Sequence, residues 1–302
     1  CEPKDGLRLG RCRRSPCNRC HSSFLGLRNI ANSIRKMGDQ QSPQASGIQQ
    51  AFRSIAFEHP RAVLLAVQVP GDTVLDSEGP ALIANFPGVW LRMQKLAFET
   101  EAITPDTSIL TFERAAQNIA AAAAMPLPQS EITAIGLSCT SMSFVLGPDQ
   151  VNKQLRSACP HAKTTDMATA QVAALVELGV ERVALVTPYI QELADKNAAM
   201  LEKAGITVVA HETMGLTHDS MTDKVSTATI KEWALAVDTE EAQALVIGCS
   251  AMRACQPGFI DELEAVIGKP VVTSTQAFLW KLLRVAGIRD QISGYGTLFA
   301  KH

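Results

Sequence analysis

No stretch of this 302-residue chain approaches the ~20 consecutive apolar residues that a membrane-spanning helix needs, and its apolar runs are strand-sized. The N-terminal residues hold no apolar signal core, so secretion is not expected. Nothing resembling a phosphate-cradling glycine loop appears, and the six histidines form no ligand set, so no metal site is expected. Aromatic residues are scarce at 5%, and only two tyrosines, Tyr189 and Tyr295, occur. A disulfide framework is also missing. Four of the eight cysteines crowd into the first twenty residues, and the other four sit at or near strand ends. A reducing cytoplasm fits that usage better than an oxidising compartment.

What remains is the composition of a globular protein, 46% hydrophobic and 19% charged, long enough for one large or two ordinary domains. The net charge of −2 hides an asymmetry: residues 1–60 carry ten Lys/Arg against four Asp/Glu, whereas 61–302 carry eighteen against twenty-six. Residues 1–60 read as a basic, disordered leader, with no nucleic-acid or membrane partner assigned. The chain begins with Cys1, which points to a fragment or an atypical start. Cys17-Asn-Arg-Cys20-His21 matches a c-type haem attachment pattern, but an ordered surrounding domain is not evident. Zinc would need a closed tetrahedral set, and a single dense cluster with Cys12 does not supply one.

From Arg61 the texture changes. Ala62–Val69 is a continuous apolar run, the mark of a buried parallel strand, and it ends at the turn Pro70-Gly71-Asp72-Thr73. Strands and helices then alternate to residue 286, including strands at 89–95, 163–165, 182–187, 206–210 and 270–273. Thr104-Pro105 reads as a helix start, and the alanine-rich helix after it runs to about Ala124. Such alternation predicts an α/β fold, a parallel sheet with helices on both faces.

Two stretches stand out, EITAIGLSCTSMSFVL at 131–146 and AQALVIGCSAMRAC at 242–255. Each is a β-type run ending in a small residue and a cysteine, followed by Thr140-Ser141 or Ser250. In a strand-to-helix turn, that design puts a thiol at the carboxyl edge of a parallel sheet. Backbone N–H groups there favour a thiolate and can hold a carboxylate. The recurrence suggests two similar lobes, with Cys139 and Cys249 facing each other across one pocket. A single extended sheet is the alternative. Cys159 and Cys255 read as structural.

Opposed thiols can invert a carbon next to a carboxylate, one removing a proton and the other delivering one to the opposite face. The developing enediolate needs aimed donors, for which Thr140, Ser141, Ser250 and Tyr189 are candidates. A thiolate can instead add to a double bond, allow rotation and leave, giving cis–trans isomerisation.

At these residues the chain resembles the Asp/Glu racemase superfamily. It is most similar to the branch of maleate cis–trans isomerases, arylmalonate decarboxylases and ectoine-utilisation proteins. The resemblance runs from about Val63 to Gly287. It rests on Val69-Pro70…Asp72-Thr73, Ile103-Thr104-Pro105, Gly136…Cys139-Thr140-Ser141, Leu185–Tyr189, Gly248-Cys249-Ser250…Arg253 and Ser274–Ala277.

The resemblance implies two Rossmann-like lobes with parallel sheets and pseudo-twofold symmetry, and no cofactor. The expected lobes are 61–165 plus 276–302 and 166–275. It also implies that Cys139 and Cys249 are the catalytic thiols, with Pro70, Asp72, Thr140, Ser141, Tyr189 and Ser250 around the substrate. Asp72 stands where maleate isomerases have an asparagine, and an acidic side chain there favours an amino group. The implied activity is isomerisation or racemisation of a small carboxylic or amino acid. A decarboxylase using Cys249 alone and a non-catalytic acid-binding protein are the alternatives, and a homo-oligomer is left open.

Overall fold

The computed structural model describes residues 58–98 and 108–302. The Cys17-Cys20-His21 cluster, the rest of the leader to residue 57, and the Thr104-Pro105 helix start lie outside the described residues.

Eight strands form two four-stranded sheets, all parallel. The first holds β1 (Ala62–Gln68), β2 (Val89–Lys95), β3 (Ala134–Leu137) and β4 (Lys163–Asp166), in the order β2-β1-β3-β4. The second holds β5 (Arg182–Thr187), β6 (Thr207–Thr213), β7 (Ala244–Ile247) and β8 (Val271–Thr273), in the order β6-β5-β7-β8. The two orders are the same pattern, so the second sheet repeats the first. The two-lobe expectation holds, and the single extended sheet does not form. The reason lies in the strands: β1, β3 and β7 are buried at every residue, which requires helices on both faces.

Helices fill the connections: α1 (Val74–Ile83), α2 (Ser108–Ala116), α3 (Ile119–Ala124), α4 (Thr140–Leu146), α5 (Pro148–Ala158), α6 (Met167–Glu177), α7 (Gln191–Lys203), α8 (Asp219–Thr222), α9 (Thr227–Val237), α10 (Phe259–Ile267), α11 (Ser274–Val285) and α12 (Gly296–Lys301). None of the described helices is long and apolar enough to cross a membrane. Where a strand runs straight into a helix, a side chain caps the start. Asp166 accepts from the Thr169 N–H at 2.9 Å, and Thr273 and Gln276 form a reciprocal capping box.

Two helices tie the sheets together. α6 leaves β4 of the first sheet and packs against β8 of the second. α11 leaves β8 and packs against β3 and β4, and α6 and α11 also lie against each other. The seam depends on Gly136: a Cβ added there would lie 2.6 Å from Phe278 of α11. Only a residue without a side chain lets the helix sit that close to the strand.

The structure differs from the sequence expectation in two places, and the helix expected at 257–267 forms as Phe259–Ile267. The alanine-rich helix is broken at Gln117-Asn118 into α2 and α3, because Asn118 turns its side chain onto the Ala97 carbonyl at 2.9 Å. The helix after Cys139 begins at Thr140 instead of near Ser143 or Pro148. No helix follows Cys249 directly. Residues 250–258 are turns, and α10 starts only after Gly258 in a left-handed conformation.

The Gly136–Phe278 approach gives a direct test of the seam. Gly136→Ala should destabilise by roughly 1–3 kcal/mol, the usual cost of overpacking. Thermal unfolding should therefore show a Tm several degrees lower. An unchanged Tm would mean that α11 can move off β3 at no cost.

Candidate active site

In a parallel sheet of order 2-1-3-4, the connections after the two central strands leave in opposite directions, and a crevice opens beyond their carboxyl ends. In the first sheet those strands are β1 and β3, followed by Val69 and Cys139. In the second they are β5 and β7, followed by Tyr189 and Cys249. Cys139, Cys249, Tyr189 and Ser141 all line one small, largely enclosed cavity, with Val69, Phe98, Phe112, Leu193, Leu216, Thr217, His218 and Thr222 completing the wall.

Cys139 is the N-cap of α4 in extended conformation, with φ −131°. Its carbonyl accepts from the Ser143 N–H at 3.0 Å and from the Ser143 hydroxyl at 2.6 Å. Ser138, just before it, is pinned to the Val67 carbonyl through both its N–H and its hydroxyl, which locks the strand end to β1. The Cys139 sulfur lies 3.5 Å from the Ser141 hydroxyl. The thiol is 5% exposed.

Cys249, 7% exposed, is held differently. Its φ is +86°, and among the described residues it is the one non-glycine in the left-handed region. Such a conformation costs on the order of 1–3 kcal/mol and persists only where the surroundings over-determine it. Gly248, directly before it, cannot bear a side chain, since a Cβ would meet Thr187 at 2.9 Å and Asn197 at 3.0 Å.

Tyr189 is set by two contacts. Its ring meets Phe144 of α4 edge-on at 6.1 Å, and its carbonyl accepts from the Gly215 N–H at 2.9 Å and from the Thr213 hydroxyl. The neighbouring carbonyls of Thr187 and Pro188 accept from Met214 and Leu216, so the 214–218 segment is zipped along the β5 end and carries Leu216, Thr217 and His218 over the cavity. Burial, then the nearby Cys249 and Cys139 sulfurs, push the Tyr189 hydroxyl far above its ordinary range, so it stays a neutral O–H donor. That hydroxyl interacts with the Cys249 sulfur and the Thr140 hydroxyl. The Tyr189 hydroxyl thus stands at the cavity wall as a neutral donor beside the thiols, whereas Thr140 and Ser250 are not among the residues lining the cavity.

The other expected residues lie around this core. Thr140 is buried, within interaction range of the Tyr189 hydroxyl. Ser250 is buried, and its carbonyl accepts from Thr275 at 3.4 Å. Asp72 is fully buried at the start of α1, where its carboxylate accepts from the Val74 N–H at 3.2 Å, and it is not among the residues lining the cavity. Pro70 is exposed and also outside that lining.

The sequence reading did not pick out the apolar wall or His218. His218 is the one lining residue able to carry a positive charge, and its Nδ1 lies 2.9 Å from the Thr217 hydroxyl. Its position in the loop after β6, at the carboxyl edge of the second sheet, was the signal available. Cys159 and Cys255 lie outside the cavity lining; both are buried, and burial pushes both thiols up. The four described cysteines form no disulfide among themselves.

Chemically, the arrangement offers two sulfurs, a neutral phenol, hydroxyls and an imidazole around a space whose lining also includes Phe98, Phe112, Leu193 and Val69. Among the described residues, no group of His, Cys, Asp or Glu could hold a metal ion.

Comparison with known proteins agrees with this architecture. The chain is 33% identical over 173 residues to the arylmalonate decarboxylase of Bordetella bronchiseptica, covering 55% of this chain and 70% of that protein. It is 26% identical over 243 residues to a maleate isomerase of Nocardia farcinica, covering 78% of this chain and 94% of that protein. Among solved structures, a cysteine-to-serine variant of the Nocardia farcinica maleate cis–trans isomerase with a covalently bound succinylcysteine intermediate superposes with a TM-score of 0.70 at 22% identity, over 80% of this chain and 99% of that one. The family model described as arylmalonate decarboxylase matches residues 84–299. With that match spanning most of the chain, the protein belongs to the arylmalonate decarboxylase family.

Proposed function

We propose that this protein is a cofactor-independent isomerase or racemase that acts on a small carboxylic or amino acid through Cys139 and Cys249. The observation that carries the reading is the presence of both thiols, from equivalent strand ends of two repeated sheets, on the wall of one cavity. For a substrate with a proton next to its carboxylate, one thiolate takes that proton and the C–H pair moves into the carboxylate. The opposite thiol then returns a proton to the other face. For an alkene substrate, one thiolate forms a C–S bond as the π pair moves into the neighbouring carboxylate. Rotation follows about the new single bond, the pair returns and the C–S bond breaks, with no net change of protons or electrons. The succinylcysteine in the Nocardia farcinica enzyme supports the second course.

In either course, negative charge collects on the carboxylate in the intermediate. Tyr189, Thr140 and Ser141 supply hydrogen-bond donors for it, and His218 sits where it can face the same group. Asp72 lies behind this shell and acts from outside the cavity lining. Reduced thiols are the working state, which suits a cytoplasmic setting.

Decarboxylation is the second reading. It is favoured by the closer identity to the Bordetella bronchiseptica enzyme and by the apolar wall of Phe98, Phe112 and Leu193, which suits an aryl or branched substituent. In that case one thiol, Cys249, delivers the proton after CO₂ leaves.

Incubation with a panel of small dicarboxylic, amino and aryl-substituted acids in D₂O separates these outcomes. The two-thiol reading predicts deuterium next to a carboxylate, or a cis–trans change, without CO₂ release. It also predicts a loss of at least about 100-fold for Cys139→Ser and for Cys249→Ser, each with an unchanged Tm. Release of CO₂ with activity surviving Cys139→Ser would establish the decarboxylase. Activity surviving both substitutions would overturn both readings.

Tyr189→Phe supplies an independent check. Because the hydroxyl meets only the Cys249 sulfur and the Thr140 hydroxyl, both beside the site, its removal should leave Tm little changed while turnover falls ~10²-fold, the usual cost of losing one aimed donor. A large drop in Tm instead would make the hydroxyl a structural element.

A further inference from the structure

Cys249 carries a backbone φ of +86°, and the 250–255 segment that follows it has no helix. Three anchors reach it from elsewhere. Thr275 donates to the Ser250 carbonyl at 3.4 Å, and the Arg253 Nε donates to the Asp223 carbonyl at 2.5 Å. The third crosses from the other sheet: the Cys255 N–H donates to Glu78 Oε2 of α1 at 3.0 Å, between residues 177 positions apart. Glu78 is 4% exposed and Cys255 is fully buried, so water cannot substitute for this bond. The Arg253 anchor leads to the same side, since the Asp223 carboxylate accepts from the Thr73 hydroxyl at 2.7 Å in the loop after β1.

We propose that Glu78 is a positioning residue for Cys249: by holding the Cys255 N–H from the opposite sheet, its carboxyl group keeps the 249–255 loop in the one shape that presents the thiol to the cavity. The proposal rests on the reading of Cys249 as a working thiol. It extends that reading by assigning a role to an acid outside the cavity lining, on the helix that connects β1 to β2 of the first sheet. Glu78 acts through the backbone and does not touch the substrate.

The surroundings of Glu78 explain why an acid serves here. Asp72, Arg253, the Cys255 thiol and the Tyr295 hydroxyl are the titratable groups that interact with it. Burial dominates and raises its pKa to about 8, the Cys255 N–H and Arg253 oppose that rise, and Asp72 adds to it. At neutral pH the group is therefore mainly an uncharged carboxylic acid that can still accept from the Cys255 N–H. As pH rises through about 8, it becomes a buried anion close to Asp72. The folded pKa lies above the unfolded one. Stability from this group is thus fully present in acid, below the unfolded value, and is lost as pH climbs through the folded value.

The test uses the full chain and iodoacetamide, with labelling of Cys249 and Cys139 followed by peptide mass spectrometry. Cys249 is buried, so access limits its labelling and a loosened loop speeds it. Glu78→Met keeps the volume and removes the acceptor. It should raise the Cys249 rate at least about tenfold while Cys139 stays within twofold, and Glu78→Gln, which restores an uncharged acceptor, should bring the rate back. The wild-type Tm should fall between pH 7 and 9, and Glu78→Gln should reduce that fall. A folded Glu78→Met protein whose Cys249 labels at the wild-type rate overturns the proposal, as does equal acceleration of both thiols. These outcomes are separate from the catalytic reading, which fails when Cys249→Ser keeps its turnover.

Discussion

The constraint on which the rest depends is the strand order. A parallel sheet ordered 2-1-3-4 has one place where successive connections diverge, and the carboxyl ends of its two central strands border that place. This chain makes such a sheet twice and joins the two copies through α6 and α11. The joined copies bring the ends of β1, β3, β5 and β7 to one cavity, and a thiol follows β3 in the first copy and β7 in the second. Burial of the central strands gives the stability that local strain then draws on. Each fully buried valine or leucine contributes about 1.5–3 kcal/mol, so the left-handed Cys249, at about 1–3 kcal/mol, costs roughly one such side chain.

The repeat is not an exact copy, and the difference is chemical. Cys139 sits on a helix start, its carbonyl and the residue before it tied by hydroxyls to its own strand. Cys249 is followed by no helix, and the loop behind it is fastened by the Glu78 and Thr275 side chains from outside that loop and by Arg253 reaching out to the Asp223 carbonyl. Two thiols in unlike settings suit a reaction in which one begins as a base and the other as an acid. The relatives of this chain include both a maleate isomerase and an arylmalonate decarboxylase.

Much of the fold was legible because a fully buried parallel strand needs an unbroken apolar run. AVLLAVQ, RVALVT and ALVI are such runs, and Gly179 and Gly205 follow helix ends with positive φ. The thiol pair was legible for a related reason: a small residue and a cysteine at two strand ends is a local pattern. What escaped was set by long-range contact. Nothing near Cys249 announces a positive φ in a residue type that avoids it, and the loop after it is held by distant bonds to Glu78, Asp223 and Thr275. The break at Asn118 depends on the Ala97 carbonyl, and the closure of the 214–218 segment depends on the carbonyls of residues 187–189. The short α12 helix was also missed, since it begins with Gly296 and holds together by packing Phe299 against Phe86 and Tyr295.

The central claim is that one bound acid meets both sulfurs, and a crystal structure with a small dicarboxylate soaked into it tests this most directly. The account predicts density for the acid between Cys139 and Cys249, in contact with each sulfur and within hydrogen-bonding distance of the Tyr189 hydroxyl. An acid bound away from both thiols, or thiols opening onto separate cavities, would contradict it.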